Sequence, residues 1–131
     1  MRRWLLRSIA PALLALAACD GGTDVPEPAG GDYTAVLQSP NGAEAAAQLE
    51  LSGAGIEDVQ SSTAFLSSSP MSGGRRVVLV RPQAGTLEFR VRMAEGQAPP
   101  DVRVVEVAAP DDALRASLSG YRVTFTRVAG P

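Results

Sequence analysis

The sequence predicts an all-β protein, a single β-sandwich of about seven antiparallel strands that follows a signal peptide and a flexible linker. From Asp32 onward, apolar residues recur with a period of two rather than 3.6. The apolar segments are short, and they are separated by glycine, proline, asparagine and serine, as in sandwiches of roughly 100 residues. We therefore divide the chain into a signal peptide (1–18), a tether (19–31) and a sandwich domain (32–131).

The first two strands are indicated by alternation. Tyr33, Ala35 and Leu37 alternate with more polar residues, and the segment 45–51 repeats the pattern. The segment 40–42 between them reads Pro-Asn-Gly, which favours a turn. The sequence thus predicts a hairpin.

The middle of the domain carries the clearest strands. Residues 77–80 are apolar on both faces and are followed by Pro82, which is typical of a central strand covered on both sides. Residues 86–93 form an amphipathic strand in which Leu87, Phe89, Val91 and Met93 share one face. Residues 82–85 are expected to be the loop between these two strands.

Two further strands are predicted at 102–107 and 121–126, where β-branched and aromatic residues concentrate. A short seventh strand is predicted at 63–66. The segment 110–118 is interpreted as a turn running into an edge strand, although its Pro and Asp residues also suit a first helical turn.

Two segments, 53–55 and 67–74, are predicted as surface loops because glycine and serine dominate them. A core this small is expected to need its aromatic side chains, which are Tyr33, Phe65, Phe89, Tyr121 and Phe125.

The run GGRRVVLVRPQAGTLEFRVRM, residues 73–93, resembles a segment of cohesin-like extracellular β-sandwiches, in which a valine-rich strand, a short loop and an amphipathic strand follow one another. The resemblance implies a sandwich used for attachment to another protein.

The N-terminus has the three regions of an export signal. Arg2, Arg3 and Arg7 supply positive charge, residues 4–17 are largely apolar, and Leu16-Ala17-Ala18-Cys19 follows. These residues resemble the cleavage site of bacterial lipoproteins processed by signal peptidase II. The resemblance implies that Cys19 becomes the first residue and carries the lipid. The alternative is a general secretory signal that happens to end in cysteine.

The segment after Cys19 is expected to be a tether, since residues 20–31 are rich in glycine, proline and acid. The protein is then exported and lipid-anchored to the cell envelope, at the inner or the outer membrane. Asp20 resembles an inner-membrane sorting signal, and it is equally well explained as a linker residue.

Composition argues against several functions. The chain contains no histidine, no lysine and one cysteine, so the usual activated nucleophiles are missing, and we expect neither an enzyme nor a cofactor. Without the three arginines of the signal, the formal charge of −2 becomes −5. This acidic chain also loses its single tryptophan, Trp4, with the signal, so we expect no nucleic-acid partner.

The remaining candidates lie on strands and turns. Arg90, Arg92 and Arg122 face outward and would form a basic patch for an acidic protein partner if their strands are neighbours. Asp111 and Asp112 are weak candidates for calcium. The sequence favours a non-enzymatic interaction module with an envelope protein as partner. The alternative is a periplasmic lipoprotein that binds a small ligand or a metal ion such as calcium.

Overall fold

A computed structural model describes residues 30–129. The predicted signal peptide, Cys19, Asp20 and nearly all of the tether lie outside the described residues. Eight strands follow one another in the described range: β1 Gly31–Gln38, β2 Glu44–Ser52, β3 Ile56–Gln60, β4 Phe65–Met71, β5 Gly74–Gly85, β6 Glu88–Met93, β7 Asp101–Ala108 and β8 Arg122–Arg127.

The strands form two four-stranded antiparallel sheets that share one core, which confirms the predicted all-β sandwich. The first sheet has the order β3-β6-β1-β8 and the second the order β4-β5-β2-β7. Between residues 30 and 129, no helix has the length and apolar character needed to cross a membrane.

The amphipathic strand β6 supplies one side of the core, as its alternation predicts. Phe89 and Val91 are buried, and Arg90 between them is exposed. In the pairing with β1, Phe89 lies opposite Ala35, so a large side chain packs beside a small one. From the second sheet, Leu49 and Leu79 close the core with no exposed surface.

The predicted hairpin between the first two strands is wrong. The turn at Pro40–Gly42 exists, and Gly42 has the positive φ of 86° that glycine tolerates. However, this turn carries the chain from the first sheet to the second. β1 pairs with β6 and β8, whereas β2 pairs with β5 and β7.

Strand β5 is interior in its sheet, as predicted, but it is covered on one face only. Val77 and Leu79 are buried, whereas Val80 is 42% exposed on the outer face. The strand also extends through Pro82 to Gly85, where a loop is predicted. Proline is tolerated there because the register with β2 shifts between Val80 and Gly85, which leaves this stretch out of the regular ladder.

Three strand predictions and one prediction about the core need correction. Strand β3 is missing from the prediction, and β4 runs on through the serines that are predicted as a loop. The edge strand expected near residues 114–118 is absent from the described structure, where Leu114 forms one isolated bridge with Ala108. Phe65, expected in the core, is 71% exposed because it lies on the outer face of β4.

Candidate functional site

The outer face of the second sheet carries a continuous row of apolar residues. Phe65 lies opposite Val80, Val80 opposite Ala46, Ala46 opposite Ala108, and Ala108 bridges to Leu114. Residues directly opposite in a sheet share a face, so these five form one line, which we call the apolar row. With about 4.8 Å between neighbouring strands, the apolar row is roughly 19 Å long.

The apolar row contains every large hydrophobic side chain that is exposed among residues 30–129. These are Phe65 at 71%, Leu114 at 63% and Val80 at 42%. Single exposed apolar residues are common on soluble proteins, but their alignment in one row makes a contiguous surface, and such surfaces mark interaction sites.

A charged row lies two positions farther along the same face. Glu50 lies opposite Arg76 and Arg103, and its carboxylate oxygens are 3.5 and 3.8 Å from their guanidinium nitrogens. Gln48 and Glu106 separate the charged row from the apolar row. The face is therefore apolar at one end and polar at the other, and protein interfaces commonly combine an apolar area with a polar one.

The three arginines predicted as a patch lie on the first sheet but do not come together. Arg90 and Arg92 are on β6 and Arg122 is on β8, and β1 lies between these strands. Arg92 pairs with Asp32 at the start of β1, whereas Arg122 pairs with Gln38 at its end. Asp32 and Gln38 are six residues apart, which corresponds to about 20 Å along the extended strand β1. The predicted basic patch required β6 and β8 to be neighbouring strands, and they are not.

Arg92 is also neutralised locally. Its Nε donates a hydrogen bond of 3.0 Å to Oδ1 of Asp32, and Asp58 of β3 lies opposite it on the other side. This hydrogen bond and the attraction of the two charges lower the pKa of the Asp32 carboxyl and raise the pKa of Arg92. A guanidinium flanked by acids on both neighbouring strands offers little charge to an acidic partner.

Arg90 lines a surface groove of about 310 Å³ that is partly open to solvent. The polar residues around the groove include Thr34, Ser61 and Glu88. A hydrogen bond of 2.6 Å from Ser61 Oγ to the backbone oxygen of Glu88 ties the end of β3 to β6. Of the three predicted arginines, Arg90 lines this groove and Arg92 and Arg122 do not.

Asp111 and Asp112 lie in the turn after β7 and have structural roles there. Oδ1 of Asp111 accepts a hydrogen bond of 3.1 Å from the backbone N–H of Ala113, and Asp112 adopts a positive φ of 68°. Aspartate side chains commonly accept a hydrogen bond from a backbone N–H two residues on, and aspartate tolerates a positive φ. In the described part of the chain, no group of three or more acidic, histidine or cysteine side chains is placed to hold a metal ion.

A buried ion pair lies at the end of the sandwich near this turn. Glu44 is 1% exposed, and Arg115 donates to both of its carboxylate oxygens, from Nη2 at 2.9 Å and from Nε at 3.2 Å. Oε1 also accepts from Ser39 Oγ at 3.0 Å and from the Tyr121 hydroxyl at 3.1 Å. The hydrogen bond to Glu44 raises the pKa of Arg115. Because the carboxylate is fully paired, the cluster fixes loops rather than offering a reactive group.

Comparison with known proteins adds no relative, since no protein-family model, no characterised protein and no solved structure matches the chain. The similarity to cohesin-like sandwiches and to bacterial lipoproteins therefore stays a prediction from the sequence.

Sequence reasoning missed the apolar row. Phe65, Val80 and Leu114 are far apart along the chain, and only the strand pairing brings them together. The available signal was local: Phe65 lies in a short apolar segment, 64–66, with serines on both sides of it, and Leu114 follows two aspartates and an alanine, so neither belongs to a long apolar segment.

Proposed function

We propose that this protein is an exported, lipid-anchored and non-enzymatic interaction module that binds an envelope protein through the apolar row. The alignment of Phe65, Val80 and Leu114 on one exposed face carries this proposal. Three large side chains in contact with water are costly for a monomer, at about 25 cal/mol per Å² of apolar surface, and a partner that covers them recovers that free energy.

The chemistry of the face suits a protein partner. Glu50, Arg76 and Arg103 lie two positions from the apolar row and can form hydrogen bonds with the rim of a partner. Asp111 and Asp112 lie near Leu114 at the other end and disfavour contact with anionic headgroups. A partner that presents an apolar strip with polar flanks fits this surface.

The anchor in the proposal is Cys19. Leu16-Ala17-Ala18-Cys19 follows an apolar segment with positive charge before it, and Cys19 is the only cysteine in the sequence. A lipid on Cys19, followed by a tether that extends at most about 3.3–3.6 Å per residue, would keep the sandwich near the membrane and raise its effective concentration for a membrane partner.

Crosslinking and pull-down from membranes test the contact surface. The wild-type chain and a Phe65→Ser, Leu114→Ser variant are expressed at equal levels, and captured proteins are compared. We expect the variant to keep its fold, since both side chains are mostly exposed. The amount of specifically captured partner protein should fall at least tenfold. Thr126→Ser, an exposed substitution on the first sheet, is the matched control and should capture as the wild type does.

A second variant tests the earlier arginine hypothesis in the same experiment. Arg90→Glu with Arg122→Glu, which keeps the ion pair between Arg92 and Asp32, should leave capture unchanged. If the arginine variant loses capture and the variant of the apolar row keeps it, the contact surface is the first sheet and the proposal is wrong.

The anchor is tested separately with Cys19→Ala. We expect this variant to remain unprocessed by the lipoprotein peptidase, because no other thiol can accept the lipid. Incorporation of labelled fatty acid and resistance to carbonate extraction are measured. Labelled, carbonate-resistant Cys19→Ala protein would disprove the lipid anchor without affecting the binding result.

A further inference from the structure

The sandwich has four edge strands, and they differ in how they are protected. Edge strands expose unpaired backbone groups, and natural proteins protect them with charged side chains, bulges or covering segments. Strand β3 carries Glu57 and Asp58 next to a bulge, and β8 has an arginine at each end. Strand β7 carries three charged residues, has a bulge opposite β2 and is bridged by Leu114.

Strand β4 has none of these charges. Its sequence, residues 65–71, reads FLSSSPM, and its register with β5 is continuous from Phe65 to Met71 without a bulge. In the described structure β4 pairs on one side only, with β5. The side chains in its middle are the small ones of three serines. Pro70 near the end is the one protective feature.

The order of residues in β4 is nearly symmetric about Ser68. Two apolar residues precede the three serines and two apolar residues follow them. If a second β4 pairs antiparallel with Ser68 opposite Ser68, then Phe65 lies opposite Met71, Leu66 opposite Pro70 and Ser67 opposite Ser69. Each apolar residue then faces an apolar residue and each serine faces a serine, which is the self-complementarity that a two-fold interface requires.

We propose that β4 is a self-association edge, through which two copies of this chain pair antiparallel about Ser68 and join their second sheets into one eight-stranded sheet. The pairing depends neither on the lipid anchor nor on a partner protein. It extends the apolar row, because Met71 of the second copy falls beside Phe65. Pro70 has no N–H, so it cannot contribute a backbone donor to the pairing.

Charge placement tests the register directly. In the full chain carrying Cys19→Ala, Ser67→Lys with Ser69→Lys places lysine opposite lysine twice in the dimer. Ser67→Lys with Ser69→Glu places lysine opposite glutamate twice. Both pairs of substitutions are on exposed positions of one strand, so they have similar effects on the monomer.

Sedimentation equilibrium in mild detergent gives the readout. We expect the unsubstituted Cys19→Ala chain and the Lys/Glu variant to shift with concentration from the 13.6 kDa of one chain toward twice that mass. The Lys/Lys variant should stay monomeric at concentrations at least tenfold higher. A monomeric Cys19→Ala chain at millimolar concentration, or equal association of the two charge variants, would overturn the proposal.

A disulfide gives an independent check. In the same background, Ser68→Cys introduces the only thiol, and residues directly opposite in antiparallel strands have Cα atoms about 4.5–5.5 Å apart, which a disulfide can bridge. We expect oxidation to give a covalent dimer with Ser68→Cys and not with the exposed control Asp111→Cys. Association that survives Ser67→Lys with Ser69→Lys but is lost with Phe65→Ser and Leu114→Ser would instead place the second copy on the apolar row.

Discussion

Phe89 and Phe65 provide the same substitution in two opposite environments. Phe89 is 2% exposed and lies opposite Ala35 in the core, whereas Phe65 is 71% exposed on β4. For Phe89→Ala, loss of burial costs about 2 kcal/mol. A residual cavity of roughly 60–100 Å³, at about 24 cal/mol per Å³, adds about 1.5–2.4 kcal/mol. We therefore expect a loss of about 3–5 kcal/mol, a large part of the stability of a small domain.

For Phe65→Ala we expect a change below about 0.5 kcal/mol, because exposed substitutions remove little packing. Urea unfolding of both variants and the wild type, followed by far-ultraviolet circular dichroism, measures the difference. Glu88→Ala, a half-buried neighbour of Phe89, is a second control and should also have a small effect. A loss below about 1 kcal/mol for Phe89→Ala, or a loss for Phe65→Ala as large as that for Phe89→Ala, would refute the assignment of the two faces.

Two further predictions concern polar groups of β1. The hydroxyl of Tyr33 is buried and has no hydrogen-bond partner among the described residues. Tyr33→Phe should therefore stabilise the domain by about 1 kcal/mol in the same urea experiment. A loss of stability of that size would show that the hydroxyl is paired. The pKa of Asp32 is lowered by its hydrogen bond with Arg92, so the ion pair stabilises the fold at pH values above the unfolded pKa of about 4 and ceases to do so as pH falls through the lower folded pKa. The stability difference between the wild type and Asp32→Asn should therefore be constant near neutral pH and vanish in acid, and a difference that grows on acidification would contradict this direction.

The sequence predicted the strands that have one apolar face and missed those that depend on a partner strand. Leu87–Met93 alternates without interruption, and β6 is found there. Ser67–Ser69 has no apolar pattern, yet these residues form a strand because β5 beside them provides a continuous ladder. Strand β3 is similar, since Glu57 and Asp58 lie at an edge where one face meets solvent. Pairing of this kind is tertiary, and local propensity does not report it.

The same distinction applies to the surface. Outward-facing arginines can be identified from alternation alone, but their distance depends on strand order, and β1 separates Arg92 from Arg122. The apolar row depends on strand order in the same way, because it joins residues from β4, β5, β2 and β7 with Leu114. From one sequence, the residues that point outward were predictable and the surface they form was not.

The position of β1 between β6 and β8 has a consequence for biosynthesis. Tyr33 pairs with Val91 on one side and with Arg127 on the other, so β1 is translated well before either of its partner strands. At about 5–20 residues per second, roughly 5–20 s pass between translation of Tyr33 and of Arg127, and during that time the first sheet has no complete set of strands. Pairing this distant in the chain also folds slowly. A nascent chain of this topology cannot complete its first sheet until β8 has been translated, and until then β1 has at most one of its two partner strands.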